Sequence, residues 1–352
     1  MKNFWCEVDL DKIQHNVDLI KGLSNKKKFM AVLKGNAYGL GIEKIAEFLE
    51  DKVDYFAVAD LTEARRINTE KEILLLSPLV SKEDFAVDME NLIYTVDNEE
   101  LLESLDKEKT YKIHIYVDTG MSRMGIKLEN LDKVIENINS NFKNIIIDGI
   151  YSHLHNTKDV KYTLKQIESF KKVTLKYKDS IQNIHLLNSS GLLKEDVRKA
   201  VDFTNLVRCG NVIYGYDGFS VGFKKVYSFK AKAVNKHKVK KGSFVGYSLA
   251  YKAKRNMTIG VLGFGNIEHF GFSKDVKHNV FYDLLKVIYN HIKFRPVIFK
   301  GNTGVKILGR PNMNVTLIDF DNFSMEDVFT VDISPILADS AIEKVYKREI
   351  NE

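Results

Sequence analysis

The pattern that most constrains this 352-residue chain is an alternation of short, apolar, β-rich runs with helical segments between about residues 30 and 215. The runs cover residues 30–33, 55–59, 73–76, 92–96, 113–117, 146–151, 184–187 and 206–208, the last leading into 212–214. Helical patterns separate them, as at 41–50, 128–138 and 162–176. Eight strands alternating with helices predict an α/β fold, a (β/α)8 barrel. The continuous apolar character of the runs is typical of a parallel sheet that is covered on both faces.

The pattern changes after about residue 222, where strand-like stretches with glycine turns replace most of the helices. These stretches cover residues 227–234, 243–245, 257–262, 305–308 and 315–318. The sequence therefore predicts a barrel over residues 10–222 and a mostly β C-terminal domain over residues 223–352. The segment 1–9 can add a further strand to that second domain.

Composition excludes several classes of protein. No apolar run reaches the ~18 residues that span a bilayer, and an acidic residue, Glu7, comes too early for a signal peptide. Two cysteines, Cys6 and Cys209, are too few for a disulfide framework or a thiolate metal site. The net charge of +6 is spread among acids, which is typical of a solvated surface. We therefore expect a soluble, cytoplasmic protein without a metal, nucleic-acid or membrane partner.

Reactive groups in such a barrel belong at the carboxyl ends of the strands. The polar residues predicted there are Lys34, Arg123, His153, Asn188, Ser189 and Arg208. A lysine that ends an apolar strand is desolvated, which lowers the pKa of its amine and suits it to Schiff-base chemistry. Taken alone, Lys34 fits better a lysine whose stem covers apolar surface while its ammonium reaches water.

Seven segments along the chain, in both predicted domains, match one family in its order. They are Ala-Val-Leu-Lys-Gly-Asn-Ala-Tyr-Gly at 31–39, Val-Asp-Thr-Gly-Met-Ser-Arg-Met-Gly at 117–125, His153 in Tyr-Ser-His, Asn188-Ser189, Val-Arg-Cys-Gly at 207–210 before Tyr214-Gly215, Val-Gly-Tyr at 245–247 with Tyr251, and Gly309-Arg310. The chain resembles the alanine racemases, fold-type III enzymes that depend on pyridoxal 5'-phosphate (PLP), over residues 4 to about 320.

The resemblance implies a catalytic role for two residues. Lys34 would hold PLP as a Schiff base and move the α-proton on one face of the substrate, and Tyr251 of the partner subunit would act on the other face. Racemisation needs two bases, because one proton leaves and another arrives on opposite sides of a planar carbanion. His153 and Arg208 match residues that support the tyrosine, and Arg208 would also donate to the pyridine nitrogen.

The remaining site residues are likewise implied by the resemblance. The cofactor-binding set is Lys34, Tyr38, His153, Asn188, Ser189, Arg208, Gly210 and Asn211, of which Tyr38, Ser189 and the amides of Gly210 and Asn211 would hold the phosphate. Arg123 and Met313 would bind the substrate. For Ser189 an ordinary capping role before a helix at 191–199 is an alternative.

Four positions depart from the family pattern. Tyr116 stands where many members have a lysine, Phe264 replaces a tyrosine, Asn314 an aspartate, and Ser340 lies where a phosphate-binding tyrosine is expected. These changes suggest the hypothesis of a less polar and wider substrate entrance, under which the preferred substrate would be an amino acid other than alanine.

The most specific prediction is a homodimeric racemase that interconverts L- and D-alanine and so supplies a D-amino acid for the cell wall. The alternatives are a racemase of another small amino acid such as serine, and a PLP-binding homologue with weak or no turnover. Related decarboxylases use a Cys-Glu segment that neither Cys6 nor Cys209 can supply, and His269 and His278 have no nearby cysteine for the metal site of related aldolases and dehydratases.

Overall fold

The computed structural model describes residues 3–78, 89–100, 102–271, 280–281, 283–285, 288 and 297–348. The chain forms two compact units. The barrel unit is Leu10–Val226, and the β unit consists of Met1–Asp9 and Tyr227–Glu352. Within the described ranges, no helix combines the length and the hydropathy that crossing a membrane requires.

Within the described residues, nine strands form the sheet of the barrel unit. The first strand of the chain, β1 (Phe4–Asp9), belongs to the β unit, and the barrel strands are β2 (Lys28–Val32), β3 (Tyr55–Val58), β4 (Ile73–Leu75), β5 (Leu92–Val96), β6 (Tyr111–Asp118), β7 (Ile126–Lys127), β8 (Ile145–Tyr151), β9 (Asn183–Asn188) and β10 (Leu206–Cys209). All pair in parallel, β10 pairs with β2 and β5 with β6, and only the short β7 lies outside the closed ring of eight. The predicted eight-stranded barrel is confirmed.

Helices follow the strands and cover the outside of the barrel. They are α1 (Leu10–Leu23), α2 (Lys34–Gly39), α3 (Ile42–Leu49), α4 (Leu61–Ala64), α5 (Leu131–Asn141), α6 (Val160–Thr174), α7 (Ser189–Leu192) and α8 (Glu195–Ala200), with 3-10 turns at Leu102–Ser104, Leu128–Asn130, Leu175–Tyr177 and Phe219–Val221. The sequence of α3 explains why it packs against the barrel. One helical face carries four apolar residues, all of them buried: Ile42, Ile45, Ala46 and Leu49.

The β unit is built around one long strand, β11 (Tyr227–Val239). The other strands are β12 (Phe244–Val245), β13 (Tyr251–Lys252), β14 (Met257–Leu262), β15 (Ile298–Lys300), β16 (Thr303–Gly304), β17 (Thr316–Asp319), β18 (Val328–Val331) and β19 (Glu343–Lys347), with 3-10 turns at Tyr247–Leu249 and Asn266–Glu268. Antiparallel partners of β11 are β1, β14 and β18, and β19 pairs in parallel with β1.

One strand predicted for this unit is wrong. Residues 305–308 form no ladder, because only Ile307 makes a bridge, to Ile318. The backbone amides of Val305 and Leu308 instead donate to separate strands, at Ile298 and Leu317. The stretch is apolar enough for a strand but bridges two elements here.

Candidate active site

A cavity of about 240 Å³ lies where several barrel strands end. It brings together nine of the predicted site residues: Lys34, Tyr38, Arg123, His153, Asn188, Ser189, Arg208, Gly210 and Asn211. The other lining residues are Val32, Leu76, Tyr116, Met124, Tyr151 and Ser190. Of the described residues that line it, three have cationic side chains and none has a carboxylate, so the cavity favours an anionic ligand.

Lys34 begins an unusual left-handed turn. Gly35, Asn36, Ala37 and Tyr38 all have positive φ, at 66°, 56°, 53° and 56°. Left-handed residues other than glycine cost roughly 1–2 kcal/mol each, although asparagine tolerates the conformation better than most. The turn directs the chain away from β2 and leaves both Lys34 and the ring of Tyr38 lining the cavity.

The strain of this turn is offset by hydrogen bonds from α4 and the preceding loop. The amide of Asn36 donates to Oε1 of Glu63 at 2.7 Å, while Oε2 of the same carboxylate accepts from the amide of Ala59 at 2.9 Å. Oδ1 of Asn36 accepts from the amide of Ile42 at 3.0 Å and from Nη2 of Arg66 at 2.7 Å. The turn is therefore fixed at Asn36 by groups outside it.

The electrostatic environment of Lys34 favours its neutral amine. Desolvation by the surrounding barrel mouth lowers the pKa of this lysine, and the positive charges of Arg123 and Arg208 lower it further. Glu63 opposes the shift but does not reverse it. A lowered pKa increases the share of neutral amine, which is the form that acts as a nucleophile and as a base.

Tyr38, Gly210 and Ser189 form a small polar cradle in the cavity. A Cβ on Gly210 would lie 2.4 Å from the hydroxyl of Tyr38, so only glycine admits this approach. Ser189 Oγ accepts a hydrogen bond from the amide of Gly210 at 3.0 Å. Burial raises the pKa of Tyr38 to about 12, so its hydroxyl keeps its proton and can donate it in a hydrogen bond.

Ser189 does not cap a helix in the structure. Asn188 is the N-cap residue of α7, and its side chain accepts from the amide of Gly191 at 2.9 Å. The helix predicted at 191–199 is divided into α7 and α8. Ser189 is therefore available to the cradle.

Arg208 is held rigidly, with only 4% of it exposed. Its Nη1 lies 2.6 Å from Nδ1 of His185, its Nη2 donates to the carbonyl of Ser152 at 2.8 Å, and its guanidinium lies 4.8 Å from the ring centroid of Tyr151. Burial lowers the pKa of this arginine, but a guanidinium remains a donor without acceptor atoms. Its orientation in the cavity is thus set by three groups of the barrel.

His185, which contacts Arg208, belongs to a series of buried polar contacts that ends at a carboxylate. Nε2 of His185 lies 2.9 Å from Nδ1 of His114, and Nε2 of His114 lies 2.9 Å from Oδ2 of Asp148, which also accepts from Asn183 at 2.7 Å. Burial lowers the pKa values of both histidines. Burial alone would raise the pKa of Asp148, but its hydrogen bonds outweigh that effect and hold it below the usual value.

Two local features place these polar groups inside an apolar barrel. The register of β6 with β8 shifts between Ile113 and His114, which leaves Asp148 as the extra residue of a bulge. A Cβ on Gly149 would lie 2.6 Å from the His114 ring, so this glycine makes room for the imidazole. No role was predicted for His114, Asp148 or His185, although polar residues inside apolar strands are a signal for them in the sequence.

His153 is the neutral group of the cavity. Burial, reinforced by the charges of Arg208, Arg123 and Lys34, lowers its pKa to about 3. The imidazole is uncharged at any pH where the protein would work, and it can accept one hydrogen bond and donate another.

Tyr251 and Met313 belong to the β unit, whereas the cavity is lined only by barrel residues. The Tyr251 hydroxyl donates toward Sδ of Met257 at 3.8 Å, and Nζ of Lys306 lies 5.1 Å from its ring centroid. Met313 is exposed, at 72%. Their catalytic and substrate roles remain predictions.

The hypothesis of a less polar entrance fails at Phe264. Its side chain is completely buried, with its ring 4.4 Å from that of Phe4 and 4.9 Å from that of Phe270. A ring packed in the core of the β unit cannot line an entrance. Asn314 and Ser340 are both exposed, and Tyr116 lines the cavity itself.

The fold and the cavity define a barrel protein with a nucleophilic lysine beside a binding site for an anionic ligand. Residues 8–218 match the N-terminal domain of alanine racemase, and residues 226–341 match the C-terminal domain. The chain is 32% identical over 280 residues to alanine racemase 2 of Clostridium acetobutylicum, covering 74% of this chain and 70% of that relative. It is 30% identical over 330 residues to alanine racemase of Borreliella burgdorferi, covering 89% and 83%. The chain belongs to the alanine racemase family.

A solved structure supports the same fold. Alanine racemase from Clostridium difficile 630 has a TM-score of 0.83 to this chain at 22% identity, covering 99% of this chain and 97% of that one. At this level of identity the likeness concerns the fold. The predicted α/β fold class and family are confirmed.

The family depends on PLP, and the residues of the cavity fit this cofactor. The cradle of Tyr38, Ser189 and Gly210, which a Cβ at residue 210 would fill, suits the phosphate. Lys34 supplies the amine that binds an aldehyde, and Arg208 faces the same cavity as a fixed donor. The donors available therefore match the phosphate, the aldehyde and the ring nitrogen of the cofactor.

Proposed function

We propose that this chain is a PLP-dependent alanine racemase that interconverts L- and D-alanine with Lys34 and Tyr251 as its two bases. The observation that carries the proposal is the position of Lys34, whose lowered pKa and cationic neighbours make it a nucleophile at the mouth of the barrel. Membership of the alanine racemase family and the alanine racemase names of its relatives support the reaction.

When bound, PLP supplies the electron sink that makes the α-proton of an amino acid acidic. Lys34 removes this proton from one face of the substrate, or returns it, because its neutral amine is favoured in the cavity. Arg208 offers only N–H groups, so it would donate to the ring nitrogen of the bound cofactor and would leave that nitrogen without a proton of its own. A weaker electron sink favours return of a proton to the α-carbon over transamination.

The second base is Tyr251 of the partner subunit, which makes a homodimer necessary for activity. This proposal rests on the family resemblance at residue 251. Neutral His153 and the fixed Arg208 lie in the cavity where such a tyrosine would act, and their hydrogen bonds would assist proton transfer by its phenol. The position of the protein in the cytoplasm and a role in supplying the cell wall also remain predictions.

Alanine is the substrate that this proposal favours over serine or larger amino acids. The relatives named above are alanine racemases. Phe264 is buried, so it does not make the substrate entrance less polar and does not disfavour alanine. Values of kcat/KM for alanine, serine and larger amino acids measure the preference directly. A preference for serine over alanine would contradict the proposal.

The decisive experiment is reduction of the PLP-loaded protein with borohydride, followed by peptide mapping. We expect the pyridoxyl label on Lys34, and a Lys34→Ala protein should lack the visible absorption band of bound cofactor. A label at another residue would overturn the assignment. Formation of D-alanine from L-alanine by the unmodified protein tests the reaction itself.

Shared sites are tested by complementation. Lys34→Ala and Tyr251→Phe proteins should each be inactive, and mixtures of the two should regain up to about a quarter of the sites if the chains reassort randomly into dimers. Mixtures without any activity, although mixed dimers form, would contradict a site built from two subunits.

A further inference from the structure

Tyr116 is fixed in the cavity by packing of its ring. It belongs to β6, is 1% exposed, and meets the ring of Tyr151 edge-on at 4.8 Å. A Cβ on Gly125 would lie 2.7 Å from Cδ1 of Tyr116, so the loop after β6 closes directly against the ring. The direction of the hydroxyl is therefore set before any ligand binds.

The hydroxyl of Tyr116 is buried, and no described residue accepts its hydrogen. Buried polar groups are rarely left in this state, and one that is left calls for a missing partner. Burial raises the pKa of the Tyr116 phenol, while the charges of Arg123 and Arg208, and donation from the Arg123 guanidinium to the phenol oxygen, lower it by less. The phenol is thus protonated near neutral pH and has a hydrogen to donate.

The missing partner must be an acceptor. Arg123 and Arg208 can only donate, so they can approach the phenol oxygen but cannot receive its proton. Among the residues that the structure describes, no carboxylate lines the cavity. An anionic oxygen of a bound ligand is a group to which the Arg123 guanidinium and the Tyr116 phenol could both donate.

We propose that the Tyr116 hydroxyl is a substrate-binding group, which donates a hydrogen bond to the carboxylate that Arg123 also binds. This inference rests on the proposed function, because it assumes an amino-acid substrate in this cavity. The same donor chemistry would suit the phenolic oxygen of the cofactor, and the test below separates the two sources. Tyr116 is a neutral donor at the position where many family members have a lysine. Arg123 then remains the cation that selects the carboxylate.

The test is a Tyr116→Phe substitution, which keeps the ring against Gly125 and Tyr151 and removes only the hydroxyl. Propionate, a carboxylate without an amine, is titrated into the PLP-loaded protein and its binding followed by the absorption of the bound cofactor. We expect the Kd of propionate and the KM of alanine to rise about tenfold, while kcat changes less. The Kd of PLP for the apoprotein should stay within about twofold.

Tyr111→Phe is the matched control, because it removes a hydroxyl from the other end of the same strand, outside this cavity. It should leave the propionate Kd unchanged. A rise in the PLP Kd alone would assign the hydrogen bond to the phenolic oxygen of the cofactor and overturn the carboxylate assignment.

A purely structural role for the hydroxyl makes a different prediction. If the hydroxyl were structural, its removal would lower the Tm of the Tyr116→Phe apoprotein. A hydroxyl whose hydrogen has no acceptor can instead be removed without loss of stability. Unchanged propionate and PLP binding would overturn the inference. That result leaves the proposed function intact if the unmodified protein forms D-alanine, whereas absence of D-alanine contradicts the function itself.

Discussion

The Nη1 atom of Arg208 lies 2.6 Å from Nδ1 of His185, and this contact determines the tautomers of two buried histidines. Since a guanidinium only donates, Nδ1 of His185 accepts and its proton resides on Nε2. That proton points at Nδ1 of His114, whose own proton then resides on Nε2 and points at Asp148. Every hydrogen bond of the series runs from Arg208 toward the carboxylate, which keeps both imidazoles neutral.

A His185→Ala substitution should lower kcat/KM for alanine by about 10- to 100-fold, because Arg208 loses a charge-assisted hydrogen bond and its fixed orientation. Steady-state kinetics at saturating PLP measures the effect. Replacement of the exposed His237 by alanine is the control and should leave kcat/KM unchanged. Full activity of the His185→Ala protein would show that Arg208 does not need this support.

Most of the barrel and of its cavity can be predicted from the sequence. Apolar runs of strand length recur with helical spacing, and the carboxyl ends of parallel strands meet at one rim. The positions of Lys34, His153, Asn188 and Arg208 at the ends of such runs therefore predict that they lie together, and all four line one cavity. Their roles rest on chemistry that the fold alone does not test.

Other parts of the site depend on tertiary contacts that leave no local signal. Ala37 and Tyr38 have no preference for a left-handed conformation, and the turn exists because Glu63, distant in sequence, binds it. The bulge at Asp148 is a shift of one residue between two strands of similar composition. Phe264 is in the core because Phe4 and Phe270 pack against it.

Acid should destabilise the protein through its neutral histidines, of which His153 is the clearest case. Its folded pKa of about 3 lies below the unfolded value near ~6.5, so the unfolded chain binds a proton that the folded chain does not. The stability that this difference contributes is fully present above pH ~6.5 and is lost as the pH falls toward about 3. Each such group changes the unfolding free energy by about 1.4 kcal/mol per pH unit within that window.

A His153→Gln protein should therefore lose stability less steeply with falling pH. The slope of its unfolding free energy against pH should be smaller by the contribution of one proton, about 1.4 kcal/mol per pH unit. Urea unfolding of the apoproteins between pH 5 and 7 measures this slope without interference from cofactor binding. The same substitution at exposed His237 should keep the slope of the unmodified protein. Equal slopes for His153→Gln and the unmodified chain would mean that His153 is protonated in the folded state.

A Gly210→Ala substitution should raise the Kd of PLP at least about tenfold. The new Cβ would lie 2.4 Å from the Tyr38 hydroxyl and would displace it from the cradle. Fluorescence titration of the apoprotein with PLP measures the Kd. Gly22→Ala is the control, because a Cβ there meets nothing within 4 Å and alanine favours its helix. A Kd within twofold of the unmodified value would exclude the cradle as the phosphate site.

Glu63→Ala should weaken both the left-handed turn and the activity that depends on it. The substitution removes the acceptors of the Asn36 and Ala59 amides, each a charge-assisted hydrogen bond worth about 1.5–3 kcal/mol. Residues 35–38 then lose a constraint that offsets their strain, so Lys34 and Tyr38 are no longer held in place. We expect a loss of about 2–4 kcal/mol in urea unfolding and a fall in PLP affinity, with Glu63→Gln intermediate because its side chain keeps one acceptor oxygen. Glu47→Ala, which removes an exposed ion pair with Lys44, should change neither quantity measurably. If Glu63→Ala lost stability while its PLP affinity stayed unchanged, the turn would be a structural element that the cofactor site does not require.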